Sequence, residues 1–184
     1  MGTFPLVSPL PLTLLLVAFG LAAWANGMFF AGFGDKPTDG GAHPVRTVGV
    51  ISFVAGLVGF ANVAFLIFTV GGNGVAVAAL ATFYAMFFTC LGIAAWKELD
   101  LKPIANICLP ISIGSLPFIT KFFDGDLLFQ SIMIVWTVAF LAIWATVYGR
   151  FQARWLGWIL IFTSIWTFFL PAFRIAMGMN FLTS

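Results

Sequence analysis

Six apolar runs, each near the length that crosses a bilayer, dominate this chain and decide what it can fold into. They fall at about 9–33, 47–70, 75–96, 103–121, 127–149 and 155–178, and roughly 20 helical residues cross a hydrocarbon core about 30 Å thick. Backbone groups in lipid must pair within their own segment, so spans of this kind are helices. The period-two alternation of a membrane β-barrel is missing from them. Composition agrees, because 62% of the 184 residues are hydrophobic and only 8% are charged, with a mean hydropathy of +1.11. Charge so sparse cannot coat a water-soluble body. The fold class is therefore all-α, an integral membrane bundle of six transmembrane helices. No linker interrupts it, so residues 1–184 read as one domain. The first run carries a signal-peptide-like Ala23-Trp24-Ala25, yet has no Lys or Arg before Lys36, and it reads as a retained span.

The loops give the orientation. They are expected at Gly34–Arg46, Gly71–Gly74, Lys97–Lys102, Lys121–Asp126 and Gly149–Arg154, where Gly, Pro, Asn, Asp and charge gather. Loops one, three and five carry Lys36, Arg46, Lys97, Lys102, Arg150 and Arg154, whereas loops two and four carry only Lys121. Cytoplasmic loops collect Lys and Arg, so the odd loops are expected inside and both termini outside the cytoplasm. The outer loops then hold Asp124 and Asp126 but no histidine.

What the spans lack narrows the function. Arg174, in the last of them, is the one Asp, Glu, Lys, Arg or His within the six apolar cores. A proton-coupled carrier or an ion pump keeps such groups at mid-membrane. A charged solute would meet no counter-charge and would be desolvated without compensation. The simplest permeant is neutral. Arg174 itself either snorkels to the outer headgroups or serves an outer mouth. Catalysis is not expected, because the single histidine, His43, lies in a loop without a second ligand or partner, and Ser and Thr are scattered without a base. No metal or cofactor is expected either. Cys90 and Cys108 sit in apolar runs, as small buried hydrophobes do. A net charge of +2 suggests no nucleic-acid partner.

The aromatics are left: 23 Phe and 7 Trp. Trp96 and Trp155 fall at expected membrane interfaces, as belt anchors. Others lie deep. Tyr84 and Phe88 are four apart in the third run, and Trp136 and Phe140 are four apart in the fifth, so each pair shares a helix face. Leu16, Phe19, Ala23 and Asn26 make one stripe along the first. Such stripes suit core packing or a pore wall. Pro110, Pro117 and Pro171 lie within spans and should bend the fourth and sixth helices.

These residues stand in patterns that resemble the AmiS/UreI family of urea and short-chain amide channels. The first run ends in Asn26-Gly27, followed by Asp35-Lys36 and a Gly-rich second run. The third, from Tyr84 to Trp96, leads into Leu99-Asp100-Leu101-Lys102-Pro103, similar to the Leu-Asp-x-Arg-Pro of some members. The sixth carries Leu170-Pro171-Ala172-Phe173, like the family's closing Pro-Ala segment. The resemblance implies a passive channel for urea or a small amide in the bacterial inner membrane, built as a homo-hexamer surrounded by lipid, each protomer with its own pore. It also implies a constriction formed by Leu16, Phe19, Ala23, Asn26, Tyr84, Phe88, Trp136, Phe140 and Thr163. Two of these depart from the family. Phe140 stands where a second Trp is common, and Thr163 stands where the family commonly has Glu, which removes an acceptor for an amide N–H. Two other readings remain: an acetate-type channel for a small carboxylic acid, whose first-helix motif Ser8-Pro9-Leu10-Pro11-Leu12 resembles, and a non-transporting membrane subunit of a larger complex.

Overall fold

The computed structural model describes residues 10–39, 41–69, 73–121 and 127–177. Ser8-Pro9, Gly71-Gly72, Asp124 and Asp126 therefore lie outside the described residues. The helices are α1 (Leu10–Ala31), α2 (Pro44–Thr69), α3 (Asn73–Lys97), α4 (Lys102–Lys121) and α5 (Leu127–Val147). The sixth span, Ala153–Ala176, begins as α6 (Ala153–Thr163), passes through a π-helical turn (Ser164–Phe169) and ends as α7 (Leu170–Ala176). Among the described residues, six segments are thus long and apolar enough to cross a membrane.

The helix ends differ from the expected spans by a few residues, each for a local reason. α1 stops two residues early because Gly32 takes a left-handed backbone, φ 95°, and Phe33 N–H bonds back to the Met28 carbonyl at 2.9 Å. α5 stops before Gly149, φ 69°, with Arg150 N–H on the Ala145 carbonyl at 2.8 Å. α2 starts earlier than expected: Pro44 suits a first helical position, and His43 Nδ1 accepts from Val45 N–H at 3.3 Å. Arg46 is consequently helical rather than looped, and Arg154 likewise belongs to α6. α3 already includes Asn73 and Gly74, residues expected in loop two.

The proline distortion shows in the sixth span. Pro171 has no N–H for the Thr167 carbonyl, and in the turn before it the bonding lengthens to five residues, Leu170 N–H reaching the Ile165 carbonyl. α4 continues as helix past Pro110 and Pro117.

The six spans close a ring in chain order. Each packs on its sequence neighbour, and α1 closes the ring against α6 and α7. Small residues set the tightest seams. α2 buries Gly49, Ser52, Ala55, Gly56 and Gly59, and there it meets Ala85, Thr89 and Gly92 of α3. Gly27 of α1 faces Gly157 of α6 so closely that a Cβ on Gly27 would stand 3.0 Å from the Gly157 carbonyl oxygen. Lipid tails are as apolar as Leu, so such close backbone contact supplies the packing that a hydrophobic drive supplies in water.

Candidate functional site

The ring encloses a cavity of about 480 Å³. α1, α3, α4, α5 and the sixth span all contribute to its wall, and α2 does not. Its mouth is at the end of the bundle that carries the odd loops, rimmed by Leu99, Asp100, Leu101 and Lys102. Asp100 accepts from Lys102 N–H at 3.0 Å, which starts α4. Glu98 ends α3 in the left-handed region, φ 55°, and Arg46 Nε donates to its Oε1 at 2.7 Å. That hydrogen bond, and then the guanidinium charge, hold the Glu98 carboxyl below the usual carboxylate range. Tyr148 Oη donates to Asn106 Oδ1 at 2.7 Å, tying α4 to the end of α5. Trp96 and Trp155, 46% and 60% exposed, flank this same end, where belt anchors belong.

Inward, the cavity ends on aromatic rings. Tyr84 lies 4.3 Å from Trp136 and 5.5 Å from Phe140, centroid to centroid. Phe168 stacks on Trp136 at 5.3 Å, and Phe19 stacks on Phe88 at 5.0 Å. The side-chain donors of this layer all have acceptors. Trp136 Nε1 donates to Thr167 Oγ1 at 2.7 Å, and Tyr84 Oη and Ser115 Oγ are 2.9 Å apart. Thr163 donates to the Ile159 carbonyl at 2.7 Å. Asn26 Nδ2 donates to the Ala22 carbonyl and to Ser52 Oγ, each at 2.8 Å.

Of the nine residues singled out from the sequence, Ala23, Asn26, Tyr84, Phe88, Trp136, Phe140 and Thr163 line this one cavity. Leu16 and Phe19 do not. Both are buried in the core cluster, Phe19 behind the Phe88 and Phe168 rings and Leu16 nearly a turn farther from the mouth. Sequence reasoning missed Thr167, Ser115 and Ser52, which orient Trp136, Tyr84 and Asn26, and missed Phe168. Phe168 is five residues beyond Thr163, a spacing that an α-helix does not place on one face and a π turn does. His43 is more than a solvated loop residue, since it caps α2 and meets Phe29 edge-on at 6.1 Å. Arg174 sits half-buried in the last turn of α7.

Six membrane-spanning helices closed around a cavity floored with aromatic rings are the build of a membrane channel or transporter. The AmiS/UreI family transporter model matches residues 12–179, and the chain belongs to that family, whose members are transporters and not enzymes. Two solved structures share its fold. One is the cryo-EM structure of the Helicobacter pylori urea channel in its closed state, 16% identical, with a TM-score of 0.74 over 90% of this chain and 97% of that one. The other is the crystal structure of the urea channel from the same gastric pathogen, also 16% identical with a TM-score of 0.74, over 91% and 98%. A comparison with curated protein sequences gives no match.

Proposed function

We propose that the chain is a passive channel for a small neutral solute, urea or a short-chain amide, and that the aromatic layer below the cavity is its constriction. One observation carries the reading: beyond the mouth, no carboxylate, amine, guanidinium or imidazole lines the cavity among the described residues. A slot between π faces suits a flat, polar, uncharged molecule and excludes ions, which cannot shed their water there. The solved urea channels of this fold support urea as the first solute to try. Stopped-flow light scattering of proteoliposomes, challenged in turn with urea, acetamide and acetate, tests it. Flux of urea and acetamide above protein-free vesicles is expected. Acetate flux alone would favour the carboxylic-acid channel, and no flux at all would favour a non-transporting subunit.

The same reading makes the protein a homo-hexamer in a bacterial cytoplasmic membrane, with one pore per protomer and both termini extracytoplasmic. That the cavity is walled by the helices of a single chain supports a pore in each protomer. The six-to-one excess of Lys and Arg in the odd loops supports the orientation. A Thr38→Cys variant, in loop one, should react with an impermeant thiol reagent only after cells are lysed. Labelling of intact cells would reverse the orientation.

A further inference from the structure

Beyond the mouth, five polar side chains reach the cavity wall: Asn26, Tyr84, Trp136, Thr146 and Thr163. Every hydrogen they could donate already has an acceptor. Thr146 donates to the Ala142 carbonyl at 2.8 Å and Thr163 to the Ile159 carbonyl at 2.7 Å. The Trp136 indole N–H is held by Thr167 Oγ1 at 2.7 Å, and Thr167 gives its own proton to the Thr163 carbonyl at 2.7 Å. Ser115 gives its single proton to the Ile111 carbonyl at 2.9 Å, so Tyr84 is the donor in the Tyr84–Ser115 pair. A carbonyl only accepts, so the Ala22 contact fixes which end of the Asn26 amide is nitrogen. Ser52 Oγ takes the nitrogen's second bond at 2.8 Å, which leaves the amide oxygen as the part open to a solute.

We infer that this cavity selects its solute by N–H donors: beyond the mouth, its described side chains offer acceptors and π faces only, and Ser52 and Thr167 are the positioning residues that keep it so. The inference rests on the proposed reading as a neutral-solute channel and names what that channel recognises. The lone pairs of Asn26 Oδ1, Tyr84 Oη and Thr163 Oγ1 can each receive an N–H. The ring faces, negative in their quadrupole, add to the preference. Asn26 thereby offers an acceptor to an amide in a chain whose helix six has a hydroxyl at position 163. A solute with only acceptors, a carboxylate or a fully N-alkylated amide, finds no free donor among the described side chains of this cavity beyond its mouth.

Three isomers of one formula test this at constant size. Propionamide has two N–H donors, N-methylacetamide one and N,N-dimethylformamide none, and all three share one carbonyl acceptor. In proteoliposomes, corrected for protein-free vesicles, permeability should fall roughly two- to tenfold with each N–H lost, the worth of one net hydrogen bond. Ser52→Ala and Thr167→Val each release a donor toward the cavity, and each should raise N,N-dimethylformamide relative to propionamide by a similar factor. The ultraviolet resonance Raman difference spectrum of Thr167→Val should also show one indole N–H losing its hydrogen bond. Equal permeability of the three isomers in a protein that conducts urea would overturn the inference and leave the channel reading standing. So would an unchanged isomer ratio in both assembled variants. If neither variant assembles, the wild-type isomer series decides alone. Absence of urea flux as well as amide flux would remove the channel reading, and the inference with it.

Discussion

Tyr84 and Trp136 lie 4.3 Å apart at the floor of the cavity, and each passes its one polar hydrogen to a hydroxyl on a different span. Leaving either hydrogen buried and unpaired would cost about 1–3 kcal/mol, so Ser115 and Thr167 fix the planes of the two rings as firmly as packing does. Thr163 stands one turn from Thr167 with its own proton on the helix backbone and its oxygen lone pairs free to accept. Thr163→Val keeps the shape and removes that acceptor. Urea flux should fall roughly two- to tenfold while assembly is unchanged. Unaltered flux in vesicles carrying equal amounts of protein would show that Thr163 touches no permeant. The paired positions of Tyr84 with Phe88 and Trp136 with Phe140 were legible in the sequence, because four-residue spacing places side chains on one face. Their hydroxyl partners were not. A Ser or Thr inside an apolar run looks the same whether it bonds its own helix, as Thr146 does, or holds a ring from another span, as Thr167 does.

Among the elements, the seams between spans decide how the aromatic faces are presented. A Cβ on Gly157 would run into the Ala31 backbone and the Gly27 carbonyl, and neither is a flexible side chain that can swing aside. Gly157→Ala should therefore push α6 off α1 and destabilise the protein by about 1–3 kcal/mol, as overpacking does. Its midpoint of thermal unfolding in detergent, measured against wild type, checks this, and an unchanged midpoint would mean the seam can open without penalty. The six spans themselves were legible to within a few residues, since length and hydropathy alone define them. The π turn was not. Pro171 announced a distortion, but periodicity arguments assume bonds of four residues, and Ser164–Phe169 bonds over five. That extra residue per turn brings Phe168 into the same cavity wall as Thr163 and so completes the aromatic floor from the sixth span.

Taken as a whole, the described residues keep their fixed charges near the ends of the spans and leave the middle neutral. The Arg46–Glu98 pair clamps the start of α2 to the end of α3 beside the mouth. The pair lowers the Glu98 pKa, so its contribution is present above the ordinary carboxylate range and is lost only as pH falls through the lowered value. Arg46 and Glu98 themselves both keep their charges between pH 8 and pH 5. The expected outer loops contain no histidine, the side chain best suited to switching in that interval. Permeability should accordingly vary less than about twofold from pH 5 to pH 8. A several-fold rise on acidification in the same vesicles would contradict this.

Whether the aromatic layer is a constriction on a solute path or only a packed core turns on Trp136. Its ring touches Tyr84, Phe168 and the cavity together. Flux of urea and of a series of larger amides should be measured on Trp136→Ala along with its detergent-resistant assembly, in one preparation. If the ring narrows the path, the variant assembles and the larger amides gain on urea, because the slot has widened. If the ring only packs, truncation should instead cost roughly 3–5 kcal/mol of stability. Lost assembly, with unchanged selectivity in the protein that survives, would make the aromatic layer a packed core and no constriction.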